Sequence, residues 1–332
     1  MKIVSLVLQE RFETYEVKLP EIWGFHFLKT QDSDEIIAAC KGADCLLVPG
    51  TGAVISAYIL ERIPTIKFIQ SAATGFNCVD TSMAAQLGIP VANIPGTNLN
   101  AVAEFTIGMI MALQRQIVIA DREVKAGNFS TLRNSMLSKG IRELSGSKLG
   151  LVGLGAIGRQ VARLAVVFGV SVSYFDIFHQ SSEVEHELNV TFLPLNELLA
   201  LNDIISIHVP LNEQTQNIIN YRELSLMPQG SLFVNVSRGE LVDQAGLAMA
   251  LESGHLAGAA IDTLYPEPPG PDHPLLTLSA AACDRLIMTP HIAGTTAGAF
   301  KRMLEAVLDN ISRVARDEQP RNIVNGVTKR RM

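Results

Sequence analysis

Three polar residues stand in loops that follow apolar runs: Arg238 in Val234-Asn235-Val236-Ser237-Arg238-Gly239, Glu267 in Tyr265-Pro266-Glu267-Pro268-Pro269, and His291 in Thr289-Pro290-His291-Ile292-Ala293-Gly294. Their types fit one kind of chemistry. A guanidinium offers a planar fork of donors for a carboxylate or a carbonyl. An imidazole moves a proton near neutral pH. A carboxylate against that imidazole favours the imidazolium and orients the ring. Reduction of a ketone beside a carboxylate needs such a cation and such a proton donor, and also a hydride. Taken singly, an arginine of this kind is most often a surface ion pair, a glutamate a solvated acid and a histidine a satisfied loop residue. It is their order and settings together that point to a reaction centre.

A hydride source is suggested by Gly153-Leu154-Gly155-Ala156-Ile157-Gly158-Arg159, which contains GxGxxG after an apolar run and before a helical pattern. Gly153 permits a tight turn, Gly155 leaves room for a pyrophosphate to reach the backbone, and Gly158 lets the helix pack close to the sheet. The helix N-terminus presents free N–H groups and a positive dipole end to the phosphates. Asp176 closes the next apolar run and is placed to bind a ribose hydroxyl and to repel a 2′-phosphate. Ile177, Phe178 and His179 bring no arginine to such a phosphate, so NAD is expected rather than NADP. Another strand-end group, Ile207-His208-Val209-Pro210, falls near the same crevice; by itself His208 reads as structural.

These residues need a framework to carry them. Residues 4–8, 45–48, 66–69, 149–152, 170–175, 203–208, 231–234 and 256–261 read as strands, most without polar alternation, as expected of strands covered on both faces. Amphipathic stretches such as 157–168 and 244–252 lie between them. This alternation implies an α/β fold with parallel sheets and right-handed crossovers. The rhythm breaks at 93–98, before a long helix expected from about 100 to 126, and at 289–294, before a helix expected from about 295 to 316. With 332 residues the chain is long enough for two domains. The middle block, 99–290, is expected to form one; residues 1–98 and 291–332 form the other, with a hinge and a cleft where the chain crosses twice.

Composition removes other classes. Lys and Arg total 27 against 33 Asp and Glu, a net charge of −6 without a basic cluster, so no nucleic-acid footprint is present. Charged residues at 18% and hydrophobic ones at 48% exclude disorder as the main state. The N-terminal apolar run is too short for a signal-peptide core, and the uncharged stretch 81–103 is broken by Pro90, Pro95, Gly96 and three asparagines, so no membrane partner is expected. Cys40, Cys45, Cys78 and Cys283 show no CxxC spacing, which argues against a metal cluster or a disulfide scaffold and suits the reducing cytoplasm. Lys329-Arg330-Arg331 reads as a solvated tail.

Across nearly its whole length the sequence resembles the D-2-hydroxyacid dehydrogenase family, which includes glycerate/hydroxypyruvate, phosphoglycerate and D-lactate dehydrogenases. The resemblance rests on Ser71-Ala72-Ala73-Thr74-Gly75, on 93–98 leading into Ala101-Val102-Ala103-Glu104, on the glycine turn, on Ser237-Arg238-Gly239, on Ala259-Ala260-Ile261-Asp262, on Glu267-Pro268 and on 290–294. It implies two doubly wound parallel-sheet domains, a Rossmann NAD-binding domain inserted into a flavodoxin-like substrate domain. It implies that Arg238 binds the carboxylate and carbonyl of the substrate, that His291 is the acid/base and that Glu267 is its partner. Asp262 is implied near the nicotinamide amide. Thr74, Ala156, Ile157, Asp176, His208, Val209, Pro210, Thr215, Val236, Ser237 and residues 291–294, Gly294 included, are implied around NAD. Amides of Ala72, Ala73, Thr74 and Gly75 are implied to cradle the substrate carboxylate, with Asn98 at the hinge beside it. The helix after Asn100 resembles the family's dimerisation segment, which implies a homodimer.

The departures are Ala73 where the family often has glycine, Asn77-Cys78 in place of a common Asp-Asn pair, and a longer spacing between Glu267 and His291. Residues 278–284 account for the extra length and are expected to bulge at the surface. No serine-sensing module is expected after residue 332. The reaction expected is reversible hydride transfer between NADH and a small 2-keto acid of glyoxylate/hydroxypyruvate or 3-phosphoglycerate type. The alternative is an NAD-sensing, corepressor-like scaffold without turnover.

Overall fold

The computed structural model describes residues 1–50 and 52–328. The basic tail at 329–331 lies outside the described residues. The chain divides into two compact units, Met1–Asn98 with Thr295–Met332, and Leu99–Gly294. The return crossing thus falls at 294/295 rather than 290/291. The cause is local: the N–H groups of His291, Ile292 and Ala293 all donate to Asp262 at 2.7–2.9 Å, which ties 291–293 to the second unit.

In the first unit, β1 (Lys2–Ser5), β2 (Gly24–Phe27), β3 (Cys45–Val48), β4 (Phe68–Ser71) and β5 (Val91–Ala92) form a parallel sheet in the order β2-β1-β3-β4-β5. That is the flavodoxin-like order. β3 and β4 are buried along their whole length. One face packs on Ile36, Ile59 and Leu60; the other packs on Met303, Leu304, Val307 and Ile311 of the helix Ala297–Ala315. The far end of the chain is therefore part of this core. Thr296 starts that helix by accepting from Ala299 N–H. Residues 322–325 also cover the β5 edge: Val324 N–H donates to Val91 C=O at 2.8 Å, and Asn93 N–H to Asn322 C=O at 3.2 Å.

In the second unit, β6 (Lys148–Val152), β7 (Ser171–Phe175), β8 (Val190–Phe192), β9 (Ile204–Ile207), β10 (Ser231–Asn235), β11 (Leu256–Ile261) and β12 (Leu286–Met288) are all parallel, in the order β12-β11-β10-β9-β6-β7-β8. This is the Rossmann order with one further strand, and its switch point lies between β6 and β9. Hydrophobic cores on both faces complete the double winding.

The sequence reading located the buried strands but not β2, β5, β8 or β12, the four edges of the two sheets. Edge strands are short: β5 has two residues and β8 and β12 three each, too few to stand out as a run, and β2 is broken by His26. The helix expected over 100–126 is two helices, Leu99–Gln114 and Ile117–Lys125, bent by 57° where Gln116 adopts φ +51°. The first is a core helix; the second, and Phe129–Lys139 after it, bury no side chain. Among the described residues no single helix is long and apolar enough to cross a membrane. The extra residues near 278–284 lie at the surface, but as an ordered and anchored turn of helix. Ser279 caps a short helix, Ala280–Cys283, and is held by Glu252 through its N–H and Oγ, both at 2.6 Å, while Ala282 is buried in the core.

Candidate active site

The candidate residues of the second unit lie in loops at the carboxyl ends of neighbouring strands. Reading across the sheet, His291 follows β12, Asp262 and Glu267 follow β11, Arg238 follows β10, His208 follows β9, the glycine turn follows β6 and Asp176 follows β7. Parallel strands put all these loops on one rim, which is where open α/β sheets bind ligands.

At one end of the rim, His291 Nδ1 and Glu267 Oε2 are 2.9 Å apart. A carboxylate only accepts, so Nδ1 carries the hydrogen and Nε2 is the nitrogen left for exchange with a ligand. Both side chains keep over a third of their surface accessible. His291 has φ +54°, a left-handed backbone that a non-glycine residue adopts only when held. Asp262 supplies the hold. It is buried; its Oδ1 accepts from Thr289 Oγ1 at 2.6 Å and Ile292 N–H at 2.9 Å, its Oδ2 accepts from Ala293 N–H at 2.9 Å, and its C=O accepts from His291 N–H at 2.7 Å.

Arg238 is half-buried, and its Nη1 donates to Ser237 C=O at 2.7 Å. Among the described residues no carboxylate pairs with it. A partly buried guanidinium bonded to a neutral acceptor has charge and donors left for an anion. Asn235, which the sequence reading did not single out, shapes this loop: its Oδ1 accepts from Ser237 N–H at 3.0 Å and its Nδ2 donates to Arg238 C=O at 2.8 Å. An asparagine at a strand end, followed by Ser-Arg-Gly, is the local signal for such a turn. Gly239 seats the loop against the segment that carries Glu267, since a Cβ there would lie 2.4 Å from Leu264 C.

Towards the other end of the rim, the glycines differ in what requires them. Gly153 has φ +102° and a Cβ there would lie 2.9 Å from His208 C; at Gly158 a Cβ would lie 2.2 Å from Gly153 O. The fold itself demands those two. Gly155 has φ −69° and open space around its would-be Cβ. The protein does not need glycine there, whereas a ligand approaching the backbone at the start of the helix Ala156–Val167 does. The turn thus fits a dinucleotide, which 153–158 would hold by its pyrophosphate and Asp176 by its ribose. Asp176 also braces the turn, with Oδ2 accepting from Leu154 N–H at 2.8 Å and Oδ1 from Phe178 N–H at 3.2 Å.

The remaining residues serve mostly as supports. His208 Nε2 meets Ser206 Oγ at 2.9 Å, while its Nδ1 is shut off from solvent with no partner among the described residues, and burial drives its pKa down to about 4. The ring is therefore neutral at physiological pH. Thr215 Oγ1 donates to Pro210 C=O at 2.7 Å and accepts from Asn212 N–H at 2.8 Å, fixing the loop after β9. Ser237 Oγ donates to Ile207 C=O at 3.1 Å.

In the first unit, the 71–75 turn is held by its carbonyls. Those of Ala73, Thr74 and Gly75 accept from Ile94 N–H, Asn93 Nδ2 and Ser71 Oγ. Ala72 N–H is taken by Val48 C=O at 2.8 Å, but among the described residues no partner takes the N–H groups of Ala73, Thr74 and Gly75. Consecutive unpartnered amides suit an anion. The methyl of Ala73 lies 2.3 Å from where a Cβ on residue 50 would be, so Gly50 makes room for it. Asn98 is the last residue before the crossing into the second unit.

Comparison with known proteins agrees with this arrangement. The family model described as "D-isomer specific 2-hydroxyacid dehydrogenase, NAD binding domain" matches residues 107–293. A glyoxylate reductase of Korarchaeum cryptofilum is 37% identical over 290 residues, which covers 87% of this chain and 85% of that protein. A glycerate dehydrogenase of Methylorubrum extorquens is 32% identical over 89% of this chain and 90% of its own. The crystal structure of D-lactate dehydrogenase from Aquifex aeolicus, complexed with NAD and lactic acid, superposes with a TM-score of 0.81 at 27% identity, over 98% of this chain and 99% of that one. With this rim of loops, this pair of sheets and relatives of that identity along most of its length, the chain belongs to the D-isomer specific 2-hydroxyacid dehydrogenase family.

Proposed function

We propose that the protein catalyses reversible reduction of a small 2-keto acid to its D-2-hydroxy acid with NADH, through Arg238, His291 and Glu267. When bound, the nicotinamide supplies or takes up the hydride. Arg238 binds the carboxylate and polarises the carbonyl, concentrating positive charge where the alkoxide develops. The imidazolium of His291 gives its Nε2 proton to that oxygen, and in the oxidative direction Nε2 takes it back. Glu267 holds Nδ1–H, fixing the tautomer and balancing the charge that forms on the ring. The unpartnered amides of Ala73, Thr74 and Gly75 fit a substrate carboxylate. The observation that carries the reading is the 2.9 Å Glu267–His291 pair, with a guanidinium that has no carboxylate partner among the described residues in the loop after the neighbouring strand β10.

Glyoxylate and hydroxypyruvate are the first substrates to examine, since the relatives compared above are a glyoxylate reductase and a glycerate dehydrogenase; 3-phosphoglycerate comes second, because no cation is assigned to a phosphate. The test is NADH oxidation followed at 340 nm over a panel of 2-keto acids, ranked by kcat/KM. His291→Ala is expected to lower kcat by about a hundredfold or more while leaving NADH affinity within threefold. Retention of turnover within tenfold of the unaltered protein rules out the proton-transfer role, and no NADH oxidation with any member of the panel favours a binding scaffold.

The same reading includes a homodimer and a cytoplasmic location. The helices Ile117–Lys125 and Phe129–Lys139 have no fully buried side chain, yet they expose Ile117, Val118, Val124, Phe129 and Leu137, and the last three line an apolar groove. A second copy of the same surface is the self-complementary occupant. Cysteine usage without CxxC spacing fits that location.

A further inference from the structure

Arg159 follows the last glycine of the turn and lies in the helix Ala156–Val167. Its Nε donates to Leu154 C=O at 3.2 Å and its Nη2 to Gln180 Oε1 at 2.6 Å. Gln180 is itself held: its N–H donates to Tyr174 Oη at 3.0 Å and its Nε2 to Phe178 C=O at 3.2 Å. Leu154 also donates its N–H to Asp176. A guanidinium and a carboxylate thus grip the two backbone groups of one residue in the glycine turn, and both reach the loop 176–180.

The pair is unequal in a way that matters. Arg159 is half-buried, its two acceptors are neutral, and among the described residues no carboxylate lies within ion-pair distance of it. Bracing a loop against two neutral acceptors does not need a charge. A guanidinium has five N–H donors, and two of its nitrogens are engaged here, so it keeps its charge and spare donors beside the ribose acid. The residues after Asp176 bring no arginine, but the helix brings one from the other side.

We propose that Arg159, held by Gln180, is a latent cation for the 2′-phosphate of NADP, and that the charge of Asp176 alone keeps this phosphate out. Asp176 repels a dianionic group and Arg159 attracts it. While both are present the carboxylate dominates, since it stands at the ribose itself. Once that charge is removed the attraction is unopposed. The proposal rests on reading 153–158 as the pyrophosphate cradle, and it is independent of the reaction the enzyme performs.

The test measures binding. NADH and NADPH are titrated into the full-length protein and followed by nicotinamide fluorescence, for the unaltered protein, Arg159→Gln, Asp176→Asn, and Asp176→Asn with Arg159→Gln. Asp176→Asn is expected to tighten NADPH binding by about tenfold or more, the order of one charge-assisted hydrogen bond. Adding Arg159→Gln is expected to remove that gain, while NADH affinity changes by less than about threefold. An Asp176→Asn protein that gains no NADPH affinity overturns the proposal. So does a double variant that keeps the gain, or one that loses NADH and NADPH equally, since Arg159 is then only a brace. Asp176→Ser, a smaller neutral residue, carries the same comparison if the asparagine variant does not fold. The gained NADPH affinity is also expected to fall with added salt only when Arg159 is present. Because binding is the readout, absence of turnover with every keto acid tells against the reaction and not against this assignment.

Discussion

Replacing Gly155 with alanine separates what the fold requires from what the cofactor requires. Its backbone, φ −69° and ψ −164°, is open to any residue, and no heavy atom lies within 4 Å of the added Cβ. The folded protein loses little, because alanine in place of glycine at an N-cap costs at most ~1 kcal/mol. For a unit of this size that lowers Tm by about 2–4 °C. The cofactor loses much more. A methyl group at the helix N-terminus stands where the pyrophosphate must approach the N–H groups, and each charge-assisted hydrogen bond that lengthens is worth about 1.5–3 kcal/mol. Loss of one such bond weakens NADH binding by roughly tenfold to more than a hundredfold. Gly158→Ala is the contrast. Helix propensity favours alanine by ~1 kcal/mol, but a Cβ at 2.2 Å from Gly153 O is a backbone clash that no side-chain rotation relieves. That variant is expected to lose several degrees in Tm and cofactor affinity together. The assay is NADH titration by fluorescence beside a thermal melt of the cofactor-free protein. Gly155→Ala binding NADH within threefold of the unaltered protein refutes the argument, as does a melt lowered as far as that of Gly158→Ala.

Three other outcomes follow from the geometry. His208 has a folded-state pKa of about 4, below the ~6.5 of an unfolded histidine. The folded state therefore binds fewer protons, so its contribution is complete above about pH 6.5 and is lost as pH falls towards 4. His208→Asn should flatten urea-unfolding stability across that window by up to ~3 kcal/mol, and an unchanged slope shows that His208 is not the titrating group. Asp262→Asn places an amide against three donors, so neither orientation satisfies all of them. It should lower kcat by about tenfold or more through misplaced His291 and alter the pH profile of kcat/KM, whereas a drop in stability alone at unchanged kcat opposes the positioning role. Val124→Glu with Leu137→Glu should convert a dimer to a monomer in analytical ultracentrifugation with the circular dichroism retained; an unchanged sedimentation coefficient places the interface elsewhere.

Much of the scaffold was legible because burial on both faces leaves a mark in the chain. β3 is an unbroken apolar run, β9 is interrupted only by Ser206 and β10 is polar only at its ends, Ser231 and Asn235, and the helices Ala156–Val167 and Gln244–Glu252 stand where their periodicity puts them. Edge strands such as β8 and β12 carry no such mark, since three residues, even apolar ones as in Leu286-Ile287-Met288, are too short a run to read as a strand. The bend at Gln116 was also hidden, because apolar stretches flank Gln114-Arg115-Gln116 on both sides and a left-handed backbone leaves no trace in hydropathy. The short helix at Ala280–Cys283 was read as a bulge for a related reason: what anchors it is Glu252, 27 residues earlier in the chain.

Composition and spacing alone determined the kinds of groups available: a glycine turn ahead of a ribose acid, a guanidinium, an imidazole and a carboxylate, each at the end of an apolar run. Whether those groups meet was decided by strand order. β10, β11 and β12 are neighbours and parallel, so the loops bearing Arg238, Glu267 and His291 emerge side by side, and residues 24 positions apart close to 2.9 Å. Tertiary structure also decided that Asp262 anchors the His291 loop, that Gly155 has open space around it while Gly153 and Gly158 are required by the fold, and that Arg159 faces the loop after Asp176. Local sequence encodes the conformation and chemistry of each segment, whereas distances between segments arise only when burial forces the strands into a single order.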